Sequence, residues 1–190
     1  MLILASTSEY RKLLLERLCV AFTCMSPEID EKHRDGESAV EMVKRLAFLK
    51  AEAISRQHPS ALVIGSDQMA VFDGQIIGKP GSHLAAMEQL TAFSGQVIEF
   101  LTSVSVQSVD SDFIEQHTDC TRVCFRTLQH EEIERYLEKE KPYDCAGAFK
   151  AESLGIVLFD RITSEDPTAL IGLPLIRTAA MLRRAGLALP

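Results

Sequence analysis

Apolar positions along this chain follow two rhythms. Short unbroken runs mark buried strands, and longer stretches with apolar residues every three or four positions mark helices. Leu2 to Ala5 is the first run. Ser6-Thr7-Ser8 then leads into a helix with Leu13, Leu14, Leu15 and Leu18 on one side, and Ser8 is placed to cap it. Val20 to Cys24 reads as the next strand. Ser38 caps a long amphipathic helix through about Gln57, with Val40, Val43, Leu46, Ala47, Ala51 and Ile54 as its inner stripe. Leu62 to Ile64 is again a strand, which Gly65-Ser66 breaks, so that Asp67 and Gln68 stand at the strand's end. Met69 to Phe72 resumes the apolar run and meets Asp73-Gly74, the signature of a type I′ hairpin turn. The returning strand, Gln75 to Gly78, delivers Lys79 just before Pro80. The hairpin so predicted carries an acid and a base to the same end of a sheet, where α/β folds place ligands.

Beyond it, residues 82 to 93 have helix periodicity, ending near Ser94-Gly95. Val97 to Val106 and Cys120 to Arg126 read as long strands, an antiparallel extension forming a second lobe. Gln129 to Lys139 is helical, 140 to 152 is mainly loop, Leu154 to Phe159 is a buried strand, and Gly172-Leu-Pro174 opens a last helix to about Ala185. No repeat, low-complexity tract or flexible linker interrupts this order, which favours an α/β fold with a mixed sheet.

A chain of 190 residues fits one domain, 1–190, and can bury roughly 70% of its unfolded surface without staples. Its formal net charge is -7, with 27 acids against 20 bases, a balance that argues against nucleic acid or an anionic membrane as partner. Five scattered cysteines suit a reducing compartment better than a disulfide frame. Cys120 and Cys124 lack the second pair or histidines of a zinc site and read as buried or half-buried thiols on a strand. No apolar run approaches the ~18 residues of a membrane span, and Met-Leu-Ile-Leu-Ala is too short for a signal h-region. The expectation is a soluble cytoplasmic protein.

Two stretches carry candidate chemistry on composition alone. Ser6-Thr7-Ser8, a helix start and Arg11-Lys12 form either a phosphate site or an ordinary capped helix with two solvated bases. Glu28, Asp30 and Glu31 suit either a divalent cation or a solvated loop. Periodicity does not single out Lys50 among the bases of its helix.

Seven motifs in register resemble those of the Maf nucleotide pyrophosphatases. They are Leu-Ala-Ser-Thr-Ser-x-Tyr-Arg-Lys (4–12), Pro-Glu-Ile-Asp-Glu (27–31), Arg-Leu-Ala-x-x-Lys-Ala (45–51), Gly-Ser-Asp-Gln (65–68), Gly-Lys-Pro (78–80), Cys-Ala-Gly-Ala-Phe (145–149) and Gly-Leu-Pro (172–174). Within the family the chain looks closest to the branch that hydrolyses 7-methyl-GTP. The resemblance implies a Maf/ITPase-like fold: a mixed, elongated twisted sheet flanked by helices, with two lobes and a cleft between them. It also implies hydrolysis of a nucleoside triphosphate between the α- and β-phosphates with Mg²⁺ or Mn²⁺, and a homodimer. Asp67 takes the place of the catalytic acid, as proton acceptor for the attacking water or as metal ligand. Glu31, Lys50 and Lys79 match its catalytic companions, with Glu31 a second metal ligand. Ser6, Ser8, Arg11 and Lys12 fall at the phosphate, and Tyr10, Gln68 and Glu152 at the base.

The physical requirements agree with that placement. A triphosphate needs cations, a bridging metal and an in-line water. A carboxylate at Glu152 suits the paired N1–H and N2–H donors of guanine, and an aromatic face at Tyr10 suits the cationic 7-methyl base. Two positions depart from the family pattern: Glu9, where Pro is usual, and Lys12, where a second Arg is common and offers a bidentate fork that Lys lacks. Two other functions fit the same residues: a pyrophosphatase for dTTP, UTP or another non-standard nucleotide, and a nucleotide-binding regulator of cell division.

Overall fold

The computed structural model describes residues 1–190. In chain order the elements are β1 (Leu2–Ala5), α1 (Glu9–Glu16), β2 (Thr23–Met25), α2 (Ala39–Ser55), β3 (Leu62–Phe72) and β4 (Gln75–Ile77). They continue as α3 (His83–Phe93), β5 (Val97–Ser108), β6 (Phe113–Phe125), α4 (His130–Glu140), β7 (Phe159–Thr163) and α5 (Leu175–Arg184). Short 3₁₀ turns cover Leu154–Leu158 and Ala169–Ile171. The sheet runs β2-β1-β3-β5-β6-β7, with β4 paired on β3. β1 is parallel to both β2 and β3, while β3–β4 and β6–β7 are antiparallel. The mixed α/β sheet is therefore as expected.

The residues fall into two compact units. The first comprises Met1–Gln68, Leu101–Asp119 and Asp166–Pro190; the second comprises Met69–Phe100 and Cys120–Glu165. In the first, all four residues of β1 are buried, because successive side chains point to opposite faces and both faces are covered. Leu2 and Leu4 join Leu14, Leu15 and Met181 in one core layer. Ile3 and Ala5 join Ala51, Ile54 and Val63 in the other. In the second unit the core is aromatic: Phe125 lies 5.4 Å from Phe93, 5.6 Å from Phe149 and 5.0 Å from Phe159, ring centre to ring centre.

Local signals set most boundaries. Ser8 accepts from the Arg11 N–H and starts α1. Ser38 and Glu41 form a reciprocal capping box that starts α2. Asp73 and Gly74 both take positive φ (49° and 74°), as a type I′ turn requires.

Several expectations are corrected. Gly65-Ser66 does not break a strand: β3 runs unbroken through both, so Asp67 stands mid-strand and not at its end. The segment 154–158 is a 3₁₀ turn, with the strand displaced to Phe159–Thr163. Gly155 explains this, since its backbone lies too close to the Lys150 carbonyl for any side chain. The second strand is Thr23–Met25, later than the apolar run suggested. Leu13 and Val40 are exposed, and the inner face of α2 instead takes Met42 and Lys50. Cys120 is exposed and Cys124 half-buried; all five cysteines are free thiols.

Candidate active site

The first unit gathers four of the charged candidates. β3 passes over α2 at Gly65, where the Ala47 carbonyl and the Ala51 N–H occupy the space a Cβ would need. This approach brings Lys50, one turn along α2, onto Asp67, two residues along β3. The Lys50 ammonium donates to Asp67 Oδ1 at 2.6 Å and pairs with Glu31 Oε1 at 2.9 Å. Lys50 and Asp67 are both buried, at 7% exposure each, whereas the Glu31 side chain is 57% exposed. A lysine and an aspartate are rarely buried unless paired, and here each satisfies the other.

Glu31 reaches Lys50 because its loop is tied down. Arg45 on α2 holds Glu37 through two nitrogens, at 2.5 and 2.7 Å, and donates to the Lys32 carbonyl at 3.0 Å. The fork holds the Glu37 carboxyl well below the usual range, at about 2.

Arg11 completes the charged set. Its Nε donates to the Gly172 carbonyl at 2.9 Å and its Nη1 to Ser6 Oγ at 3.4 Å. Burial pulls its pKa down, and the charges of Asp67 and Glu31 oppose that shift; a guanidinium stays charged regardless. Ser6 and Ser8 are spent locally as acceptors, from the Ser8 and Arg11 N–H groups, yet each hydroxyl keeps its own proton to donate to a phosphate oxygen. Lys12 pairs with Glu9 at 3.5 Å, and the Glu9 side chain is 74% exposed. The departure at position 9 thus faces solvent.

Gln68 is more tightly held than a ligand contact requires. Its Nε2 donates to Thr102 Oγ1 and to the Ala169 and Leu170 carbonyls, at 2.9–3.0 Å, so only Oε1 faces other partners. Tyr10 is half-buried on α1. Lys79 is exposed in the irregular segment after β4 in the second unit, and Glu152 is exposed on a turn of that unit.

Three contributors are invisible to composition. Ser66 Oγ donates to the carbonyls of Ser103 and Gly172, so Gly172 serves both Arg11 and Ser66. Gly172 holds φ at 128°, where only glycine is comfortable. Asp166, buried, accepts from Thr168 N and Oγ1 and from Ile176 N, fixing the loop before α5. The Gly-Leu-Pro motif and the Asp166-x-Thr168 turn pattern are the signals that point to them.

Glu31 and Asp67 carry the oxygen donors that Mg²⁺ or Mn²⁺ takes, and in this structure the two carboxylates meet at the Lys50 ammonium. No third carboxylate, histidine or cysteine joins them.

The family described as "Maf-like protein" matches residues 1–185. A 7-methyl-GTP pyrophosphatase of Pseudomonas savastanoi is 51% identical and one of Xanthomonas axonopodis 52% identical; each alignment covers 100% of this chain and 98% of the relative. One of Albidiferax ferrireducens is 48% identical over 98% of this chain and 94% of its own. Among solved structures, a HAM1 protein from Coxiella burnetii covers 96% of this chain and 98% of its own, with TM-score 0.54 at 12% identity, a likeness of fold alone.

Proposed function

The chain belongs to the Maf family, and we propose that it is a nucleoside triphosphate pyrophosphatase converting 7-methyl-GTP and water to 7-methyl-GMP and pyrophosphate. Relatives about half identical along the whole chain carry that name. The observation that carries the chemistry is Asp67, buried mid-strand, with Oδ1 fixed by Lys50.

In the reaction so read, a water attacks the α-phosphorus and its proton passes to Asp67. The bond from the α-phosphorus to the bridging oxygen breaks, and its electron pair leaves with pyrophosphate. Arg11 and Lys50 are assigned to offset charge spreading over the phosphates. The Ser6 and Ser8 hydroxyls and Lys12 serve the same chain of phosphates, and Lys79 is assigned to it by family position. Glu31 and Asp67 would hold the divalent metal, which supplies Lewis-acid charge at the phosphate oxygens. Tyr10, Glu152 and the free Oε1 of Gln68 are assigned to the base. A cytoplasmic location and a homodimer belong to the same reading; no helix is long and apolar enough to cross a membrane.

A panel of 7-methyl-GTP, GTP, dTTP and UTP with Mg²⁺ or Mn²⁺, scored by pyrophosphate release, tests the reading. Preference for 7-methyl-GTP supports it. Equal turnover of dTTP and UTP removes the 7-methyl-GTP specificity and leaves the pyrophosphatase class standing, and faster turnover assigns the chain a pyrimidine substrate instead.

A further inference from the structure

Glu152 lies on an exposed turn, and the residues on either side of it are anchored. The anchor is Glu140, the last residue of α4. Its Oε2 accepts from Ser153 Oγ at 2.8 Å and from the Leu154 N–H at 3.0 Å, the two residues that follow Glu152. Its Oε1 lies 3.7 Å from the Lys150 ammonium, two residues before Glu152. The Glu140 side chain is only 12% exposed, so it is held in place as much as it holds.

The same turn is fixed from a second point. Lys150 N donates to the hydroxyl of Tyr136, one turn earlier on α4 and buried. Burial pushes the Tyr136 phenol up, so the hydroxyl stays neutral at ordinary pH. Gly155 closes the loop, its backbone pressed against the Lys150 carbonyl. Lys150, Ser153 and Leu154 are therefore bonded to α4, with Gly155 packed on Lys150, around the exposed Glu152.

We propose that Glu140 is a positioning residue for substrate choice. It fixes the turn so that the Glu152 carboxylate meets the donor edge of a 7-methylguanine base in one orientation. The proposal rests on the base-reading role given to Glu152 above. A carboxylate that accepts two hydrogen bonds side by side discriminates only if its plane is fixed, because a mobile one pays in entropy what it gains in contact. Ion-paired and hydrogen-bonded on three sides, Glu140 is suited to fix it where a single contact would not.

The test compares kcat/KM for 7-methyl-GTP with kcat/KM for dTTP in five proteins: wild type, Glu140→Gln, Ser153→Ala, Glu152→Gln and the Glu140→Gln/Glu152→Gln double variant. Glu140→Gln keeps the size of the side chain and Ser153→Ala removes one surface contact, so circular dichroism is expected to show both folded. The preference for 7-methyl-GTP is expected to fall about tenfold in Glu140→Gln, and less in Ser153→Ala, through KM for that substrate. In the Glu152→Gln background the Glu140 substitution is expected to change the ratio no further, a coupling that a merely structural residue does not show. An unchanged ratio in folded Glu140→Gln, with loss in Glu152→Gln, overturns the positioning role and leaves the base-reading role standing. An unchanged ratio in Glu152→Gln removes that reading, and the proposal falls with it.

Discussion

The backbone of Gly65 lies so close to the carbonyl oxygen of Ala47 that a Cβ at position 65 overlaps it. This contact sets how near β3 comes to α2, and hence whether Lys50 reaches Asp67. Gly65→Ala is expected to cost at least about 2 kcal/mol of stability through overpacking, read as a lower urea midpoint. Activity of the folded fraction is expected to fall as well. Loss of stability with full activity retained would separate the packing from the site.

Lys50→Met leaves the buried Asp67 without its ammonium and Glu31 without a partner. Removing one member of a buried ion pair costs about 3–5 kcal/mol; the exposure of Glu31 puts this case at the lower end. Turnover is expected to fall roughly 10²–10³-fold as a charge aimed at the phosphates is lost. Chemical denaturation and steady-state kinetics on one preparation read both.

Acid sensitivity is traceable to Glu37. Its folded pKa, about 2, lies below the unfolded value, so its contribution to stability is fully present above about pH 5 and is lost as pH falls towards 2. The difference in unfolding free energy between wild type and Glu37→Gln is expected to shrink steadily across that range. A difference that stays constant from pH 6 to pH 2.5 contradicts the assignment. Because Arg45 also holds the Lys32 carbonyl, Glu37→Gln is further expected to loosen the Glu31 loop and weaken the response to Mg²⁺.

In the second unit, Phe125 packs edge-on or tilted against three other rings. Phe125→Ala is expected to destabilise by about 3–5 kcal/mol. Phe72 touches that cluster only through Phe93 and is half-buried, so Phe72→Leu is expected to cost under about 1.5 kcal/mol. Thermal melts of the two variants give the order.

What the sequence disclosed, and what it withheld, divides by range. Ser8, Ser38 with Glu41, and Asp73-Gly74 act on neighbours within four residues, and each start or turn stands where the pattern placed it. Gly65 was misread because a glycine inside an apolar run looks the same whether it ends a strand or admits a helix backbone; only α2, close in space, distinguishes them. Lys50 is one of several bases on its helix, and its burial follows from a carboxylate seventeen residues away. The 3₁₀ turn at Leu154–Leu158 has the apolar run of a strand, but Gly155 is folded onto Lys150. The residues that build the Arg11 site, Ser66 and Gly172, are 106 apart and meet only in the folded chain. Motif resemblance covered the charged residues and also Gly65, Ser66 and Gly172, but not the contacts through which these three aim the site.

In the proposed mechanism Asp67 performs the chemistry and Lys50 holds it in place. The most direct test is single-turnover hydrolysis of 7-methyl-GTP by Asp67→Asn, which keeps an oxygen acceptor for Lys50 and removes the base. Substrate is expected still to bind while pyrophosphate release slows by about 10³-fold or more. Release within tenfold of wild type, from folded protein, would contradict it.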